Sequence, residues 1–232
     1  MNLAKLPPFN STVGKLLRLP LRLLPRNIPM RVLQGPLRGA RWIAGAHTHG
    51  CWLGSYEWDT QQLFWYSIPA GGVVCDIGAN AGFYTLLAAR KAKHVIAIEP
   101  LPENLRYLYK HLEMNRIKNV TVIKAAMSDV NGLAQFRVGG NRATGALEAD
   151  GALQIRTTTV DSLPRAPDLI KIDVEGAEFR VLTGAIETIK RKHPIIFLSM
   201  HVGGSHCQDL LRSLGYTLKD IAYRDLLAVP PG

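Results

Sequence analysis

The chain has no acidic residue among its first 56, only three cysteines, and no apolar run long enough to span a bilayer. Each lack excludes something. Cys51, Cys75 and Cys207 stand far apart with no C-x-x-C spacing, which argues against a disulfide framework and against a structural zinc site. A reducing compartment is the expectation, and Cys75 reads as a small buried hydrophobe in a strand. The leucine-rich stretch 13–25 is too short and too charged for a membrane span. It also lacks the apolar core and small-residue cleavage site of a signal peptide, so a cytoplasmic protein is expected. With 47% hydrophobic and 20% charged residues in 232, the chain has the balance of a globular domain that buries a core without staples.

The charge is unevenly placed. Lys5, Lys15, Arg18, Arg22, Arg26, Arg31, Arg38 and Arg41 precede any acid and supply +8 of the formal +10, whereas from Glu57 onward 20 bases face 18 acids. An enzyme of nucleic acid carries its excess on the body; here it lies on an arm, so nucleic acid is the least favoured partner. Pro20 and Pro25 restrict any helix there to short pieces. The arm reads as a structural lead-in whose leucines cover the sheet or a second copy in a homodimer. A peripheral contact with anionic lipid headgroups or with a protein is the alternative. Residues 31–34 and 41–44, around Gly35-Pro36 and Gly39, read as a small β-hairpin. The division expected is a basic N-terminal extension over 1–56 and a main domain over 57–232. At the junction, Tyr56-Glu57 precedes a helix over 60–66 and reads either as a surface loop with a helix-start acid or as a substrate-facing lid.

The main domain is organised around Val73–Gly82, VVCDIGANAG. The apolar run 73–77 reads as a buried parallel strand, and 83–91 as a helix ending in cations. Between them Gly78, Asn80 and Gly82 suit a turn with left-handed backbone. The spacing is D-x-G-x-N-x-G rather than the G-x-G-x-x-G of dinucleotide sites. Asp76 would repel a pyrophosphate but suit a cation, and S-adenosylmethionine carries both a sulfonium and an ammonium group. The plain alternative is a tight βα turn with a solvated acid.

Further strands are expected at 94–99, 120–123, 169–174 and 194–200, alternating with helices at 102–115, 177–190 and 207–214. Residues 216–218 and 226–229 would add an antiparallel edge pair. This is a doubly wound α/β sheet, mostly parallel. An inserted hairpin, 133–138 with 153–159, would overhang the ligand crevice, its tip at 139–142.

Ligands in such sheets bind at the carboxyl ends of the strands, where the sequence places Asp76, Glu99, Asp129, Asp173, Glu175 and His201. Glu99 is placed to accept the two ribose hydroxyls of an adenosyl group, with Asn104 a helical turn beyond. Ser128 and Asp129 would lie near the adenine, or form only a β-turn. Asp173 and Glu175 would face sulfonium and substrate, and Glu178 reads as a first-turn helix acid. His201 is a candidate general base, or a hydrogen-bonded rim residue.

Taken together, DIGANAG (76–82), EPLPENLRYL (99–108), AAMSDVNG (125–132) and KIDVEGAE (171–178) resemble the FkbM family of S-adenosylmethionine-dependent methyltransferases, with GSYE (54–57) similar to a segment found ahead of that domain. The resemblance covers roughly 53–229. It implies a class I methyltransferase (Rossmann-like) fold and O-methylation of a hydroxyl on a sugar, glycan, lipid-linked or polyketide-type metabolite, without a metal. On that basis Asp76, Gly78, Asn80 and Gly82 form the donor's methionine-side loop. Glu99 is the ribose ligand, Ser128 and Asp129 the adenine contacts, and Asp173 and Glu175 the carboxylates at the reacting centre, which with the candidate base His201 make up the expected catalytic groups. The sequence departs from the family where a glutamate often precedes the histidine after the fifth strand: Ser199 stands there. An RNA methyltransferase using the arm, a nicotinamide enzyme and a non-catalytic nucleoside-binding protein are the remaining alternatives.

Overall fold

A computed structural model describes residues 27–139, 145–147, 150–201 and 204–231, with Thr12, Leu21 and Pro25. The expected helical lead-in of the basic arm and the hairpin tip beyond Gly139 lie outside these residues. The first elements are the antiparallel pair β1 (Pro29–Arg31) and β2 (Arg41–Ile43), then α1 (His49–Leu53) and α2 (Trp58–Ser67). Strand β3 (Val73–Ile77) leads through the glycine loop into α3 (Phe83–Ala89), β4 (His94–Ile98), α4 (Pro102–Met114) and β5 (Val120–Ile123).

A separate four-stranded sheet follows. It is built from β6 (Ala126–Met127), β7 (Gly132–Val138), β8 (Gly145–Leu147) and β9 (Leu153–Thr158), in the order β6-β9-β7-β8. The chain returns to the main sheet with β10 (Leu169–Ile172), α5 (Glu178–Thr183), α6 (Ile186–Lys192), β11 (Ile195–Ser199) and α7 (Gly204–Ser213). It ends in β12 (Thr217–Ala222) and β13 (Asp225–Val229).

The main sheet runs β12-β13-β11-β10-β3-β4-β5. The five strands from β11 to β5 are parallel, while β13 is antiparallel to both of its neighbours. Both faces are covered, which is why the parallel strands read as unbroken apolar runs. Val74, Val95 and Leu169 pack with Leu86, Leu87, Leu108, Phe64 and Trp42 on one face. Cys75, Ile77, Ile96 and Ile170 pack with Val181, Leu182, Ile189 and Leu211 on the other. Neighbouring residues of a strand thus fall into different cores, as the two-residue period requires. Among the described residues no helix is long and apolar enough to cross a membrane.

The N-terminal hairpin shares the first of these cores and is tied to it by a buried histidine. The Ile43 N–H donates to His111 Nε2 at 2.9 Å, so the ring proton sits on Nδ1, which donates to the Ala81 carbonyl at 2.7 Å. Trp42 stacks on the same ring, centroids 4.0 Å apart. Burial lowers the His111 pKa to about 4, against the hydrogen bond to Ala81. Asn115 adds a two-way bond to the Arg41 backbone.

The first hairpin strand lies at Pro29–Arg31 rather than 31–34, the inserted hairpin is part of a four-stranded sheet, and one expected helix differs. The single helix over 177–190 is two helices, broken at Gly184-Ala185. A side chain at Gly184 would run into the Ser128 carbonyl, and Asp161 caps the second helix by accepting from the Glu187 and Thr188 N–H groups. The break is made by neighbours distant in sequence.

Candidate active site

Strand order reverses between β3 and β10, and a crevice of about 590 Å³ opens at the carboxyl ends of β3, β4, β10 and β11, the position a doubly wound sheet reserves for ligands. Its size is that of a small-molecule site. The glycine loop forms part of the floor. Gly78 adopts φ +80°, and a Cβ there would collide with the Asp173 carbonyl, so the loop after β3 and the turn after β10 press backbone to backbone. The Gly78 and Ala79 N–H groups both donate to the Ile98 carbonyl. Gly82, at φ +96°, faces Leu108 and serves helix packing rather than the crevice wall.

Glu99 stands in that wall, only 4% exposed. One carboxylate oxygen accepts from the Asn80 N–H at 2.8 Å; the other accepts from the Leu101 N–H at 2.9 Å and Asn104 Nδ2 at 3.1 Å. Burial raises its pKa and these three bonds oppose the rise. Asp76 is not in the lining of the crevice itself. It is 1% exposed beneath α3, accepts from Thr85 Oγ1 at 2.5 Å, and borders a void of about 30 Å³ that shares His47, Tyr56, Gly78, Asn80 and Asp173 with the crevice. The register explains this: Asp76 pairs with Lys171 across β3–β10 and points to the same side of the sheet as Val74.

Lys171 is 4% exposed, with its ammonium 2.9 Å from Asp173 Oδ2 and 4.6 Å from the Tyr84 ring centroid. Burial disfavours its charge, but Asp173, Asp76 and Glu57 outweigh that and hold its pKa above the ordinary value. Burial likewise pushes the Asp173 carboxyl up, and Lys171 more than reverses it, so Asp173 stays ionised. Tyr56 and Glu57 also line the crevice, each held by its neighbours. Tyr84 donates to Glu57 at 2.6 Å, Gln61 Nε2 donates to the Tyr56 carbonyl at 2.6 Å, and the Tyr56 ring meets Phe83 edge to face.

Across the crevice, His201 Nδ1 donates to Glu178 Oε1 at 2.9 Å. That same oxygen accepts the Gly176 and His201 N–H groups. Nε2 is left facing Glu175 Oε2 at 3.7 Å and Asp173 Oδ1 at 3.9 Å. The Glu178 bond raises the His201 pKa above 6.5, burial opposes it, and Asp173 and Glu175 add to it. Glu178 is fully buried, so it is far more than a first-turn helix acid.

Residues 76–218 match the family profile described as the Methyltransferase FkbM domain. The chain belongs to the FkbM methyltransferase family. Over 154 residues it is 26% identical to the hexuronic acid methyltransferase AglP of Haloferax volcanii, covering 63% of each chain. The chain therefore spans less than two thirds of that relative's length. Its structure resembles the crystal structure of methyltransferase FkbM from Methylobacillus flagellatus, with a TM-score of 0.52 and 21% identity. That match covers 68% of this chain and 43% of the other. The fold is the Rossmann-like one of class I methyltransferases.

FkbM methyltransferases take their methyl group from S-adenosylmethionine, and the crevice suits it. Glu57, Glu99, Asp173 and Glu175 give a cation-attracting lining, and Ile98, Leu101, Met127, Phe136 and Leu147 give an apolar wall for a purine. Phe136 and Leu147 come from the inserted sheet, which does overhang the crevice. Ser128 and Asp129 sit just behind this wall. Ser128 is buried and bonded to Asp129 at 2.8 Å, and neither residue lines the crevice, although Met127 does. Ser199, where the family often carries glutamate, faces Asp225 across the antiparallel β11–β13 register and donates to it at 2.8 Å. A carboxylate therefore reaches this part of the crevice from the adjacent strand.

Proposed function

We propose that this protein transfers a methyl group from S-adenosylmethionine to a hydroxyl of a sugar-type acceptor, of the kind named by its relative that acts on hexuronic acid. The observation that carries this reading is the Glu178–His201 pair, whose second ring nitrogen lies 3.7 Å from Glu175 in the crevice that Glu99 also lines. S-adenosylmethionine, when bound, supplies an electrophilic methyl group on a sulfonium. Glu99 is the group for the nucleoside hydroxyls, its own carboxylate fixed by three donors. Asp173 and Glu175 provide negative charge beside the reacting centre, Asp173 kept ionised by Lys171.

Between His201 and Asp173 as base, the electrostatics favour His201. Asp173 is an ion-paired carboxylate with a depressed pKa and little appetite for a proton. His201 has a raised pKa and a tautomer set by Glu178. Nε2 takes the acceptor hydroxyl proton as the new oxygen–carbon bond forms, a role worth about 10²–10⁴-fold in rate. The test is His201→Gln, assayed by transfer of labelled methyl groups to glycosides. We expect kcat to fall at least 100-fold while affinity for S-adenosylhomocysteine stays within about twofold. Unaltered kcat removes His201 from the mechanism.

A further inference from the structure

The crevice lining holds five carboxylates, from Glu57, Glu99, Asp173, Glu175 and Asp225, and among the described residues a single arginine or lysine, Arg224. The carboxylates are engaged. Glu57 accepts from Tyr84, Glu99 from three donors, Asp173 pairs with Lys171, Glu175 faces His201, and Asp225 accepts from Ser199 and Thr60. The Arg224 guanidinium has no ion pair or side-chain hydrogen bond among the described residues. It lies 5.1 Å from the centroid of the Tyr223 ring, which is 86% exposed.

This pair is held in place by the backbone. Tyr223 and Arg224 are the two-residue turn of the β12–β13 hairpin, and Arg224 is left-handed at φ +65°. The register shifts between Asp220 and Ala222, an irregularity that re-aims the side chains of a turn. The Arg224 carbonyl accepts from the Met200 N–H at 2.8 Å, which ties the tip to the residue preceding His201. An unpaired guanidinium in an otherwise acidic crevice is matched by an oxyanion, which it binds with two parallel N–H donors. An exposed aromatic face beside it offers a flat apolar surface on which the C–H face of a pyranose can pack.

We infer that the acceptor is a saccharide bearing an oxyanion, read by Arg224 with Tyr223 as its stacking platform. This rests on the methyl-transfer reading above and adds to it the residues that read the acceptor's charge. The negative group lies at the rim, and the hydroxyl to be methylated lies inward near His201.

The experiment measures labelled methyl transfer to three probes: 4-nitrophenyl β-D-glucuronide, glucose 1-phosphate and 4-nitrophenyl β-D-glucoside. It compares the wild type with Arg224→Gln and Arg224→Lys, and each protein is also titrated with S-adenosylhomocysteine. We expect a KM at least tenfold lower for the glucuronide, the phosphate or both than for the glucoside. We expect Arg224→Gln to abolish that preference through KM with kcat within about twofold, and Arg224→Lys to restore part of it. The glucuronide and phosphate arms separate the two sources of negative charge. Equal KM for charged and neutral probes overturns the inference, as does a charge preference that survives Arg224→Gln. So does a protein that takes up S-adenosylhomocysteine but uses none of the three, which leaves the donor site standing. Failure to take up S-adenosylhomocysteine removes both readings.

Discussion

Replacing Glu178 by Gln changes one atom deep in the protein and has a calculable effect at the crevice. The carboxylate accepts from His201 Nδ1 at 2.9 Å and from two backbone N–H groups. An amide oxygen still accepts all three but without charge. A charge-assisted hydrogen bond exceeds its neutral counterpart by about 1–2 kcal/mol. His201 is half-buried, so solvent screens part of this and the lower end applies: about one pKa unit at the imidazole. The base must be neutral to take a proton, so the rate climbs with pH through the His201 pKa, which lies above 6.5 in the wild type. In Glu178→Gln the climb should begin about one pH unit lower, and the plateau kcat should fall about tenfold. The assay is a pH profile of labelled methyl transfer alongside a titration with S-adenosylhomocysteine, whose affinity should be unaltered. An unmoved limb with kcat within twofold would refute the positioning argument.

Two further outcomes concern stability. Lys171→Met removes the cation shared by Asp173 and Asp76 and leaves two carboxylates without it. Denaturant unfolding should show a loss of about 3–5 kcal/mol, part of it recovered in Lys171→Met/Asp173→Asn; no loss would mean that the pair is not a buried support. His111 predicts a pH effect of definite sign. Its folded pKa of about 4 lies below the ordinary 6.5, so the folded state resists protonation. Stability is then complete above pH 6.5 and lost on acidification from 6.5 towards 4. The loss is on the order of 3 kcal/mol. His111→Gln should flatten that part of the stability profile, and an unchanged slope would contradict the assignment.

The parallel strands were legible because burial on both faces forces an unbroken apolar run, as in Val73–Ile77 and Leu169–Ile172. The crevice was legible in outline because strand ends, glycines and acids follow one another in sequence. Contacts made by register or across long separations were not. Lys171 lies within an apolar strand, and only the pairing of β3 with β10 sets it beside Asp76. Glu178 stands one turn from the acids that were recognised, yet its partner His201 is 23 residues away. His111 joins Ile43 and Ala81 from 68 and 30 residues away. Asp225 meets Ser199 only through the antiparallel edge. A lone lysine inside an otherwise apolar strand was the one local signal of this network, since an unpaired buried charge is prohibitive.

The central claim is that an adenosyl donor lies in the crevice against Glu99. Its most direct test is a calorimetric titration of the wild type and Glu99→Gln with S-adenosylhomocysteine. The account predicts saturable one-site binding by the wild type, weakened at least tenfold in Glu99→Gln with the melting temperature little changed. No binding by the wild type, or equal affinity in the two proteins, would contradict it.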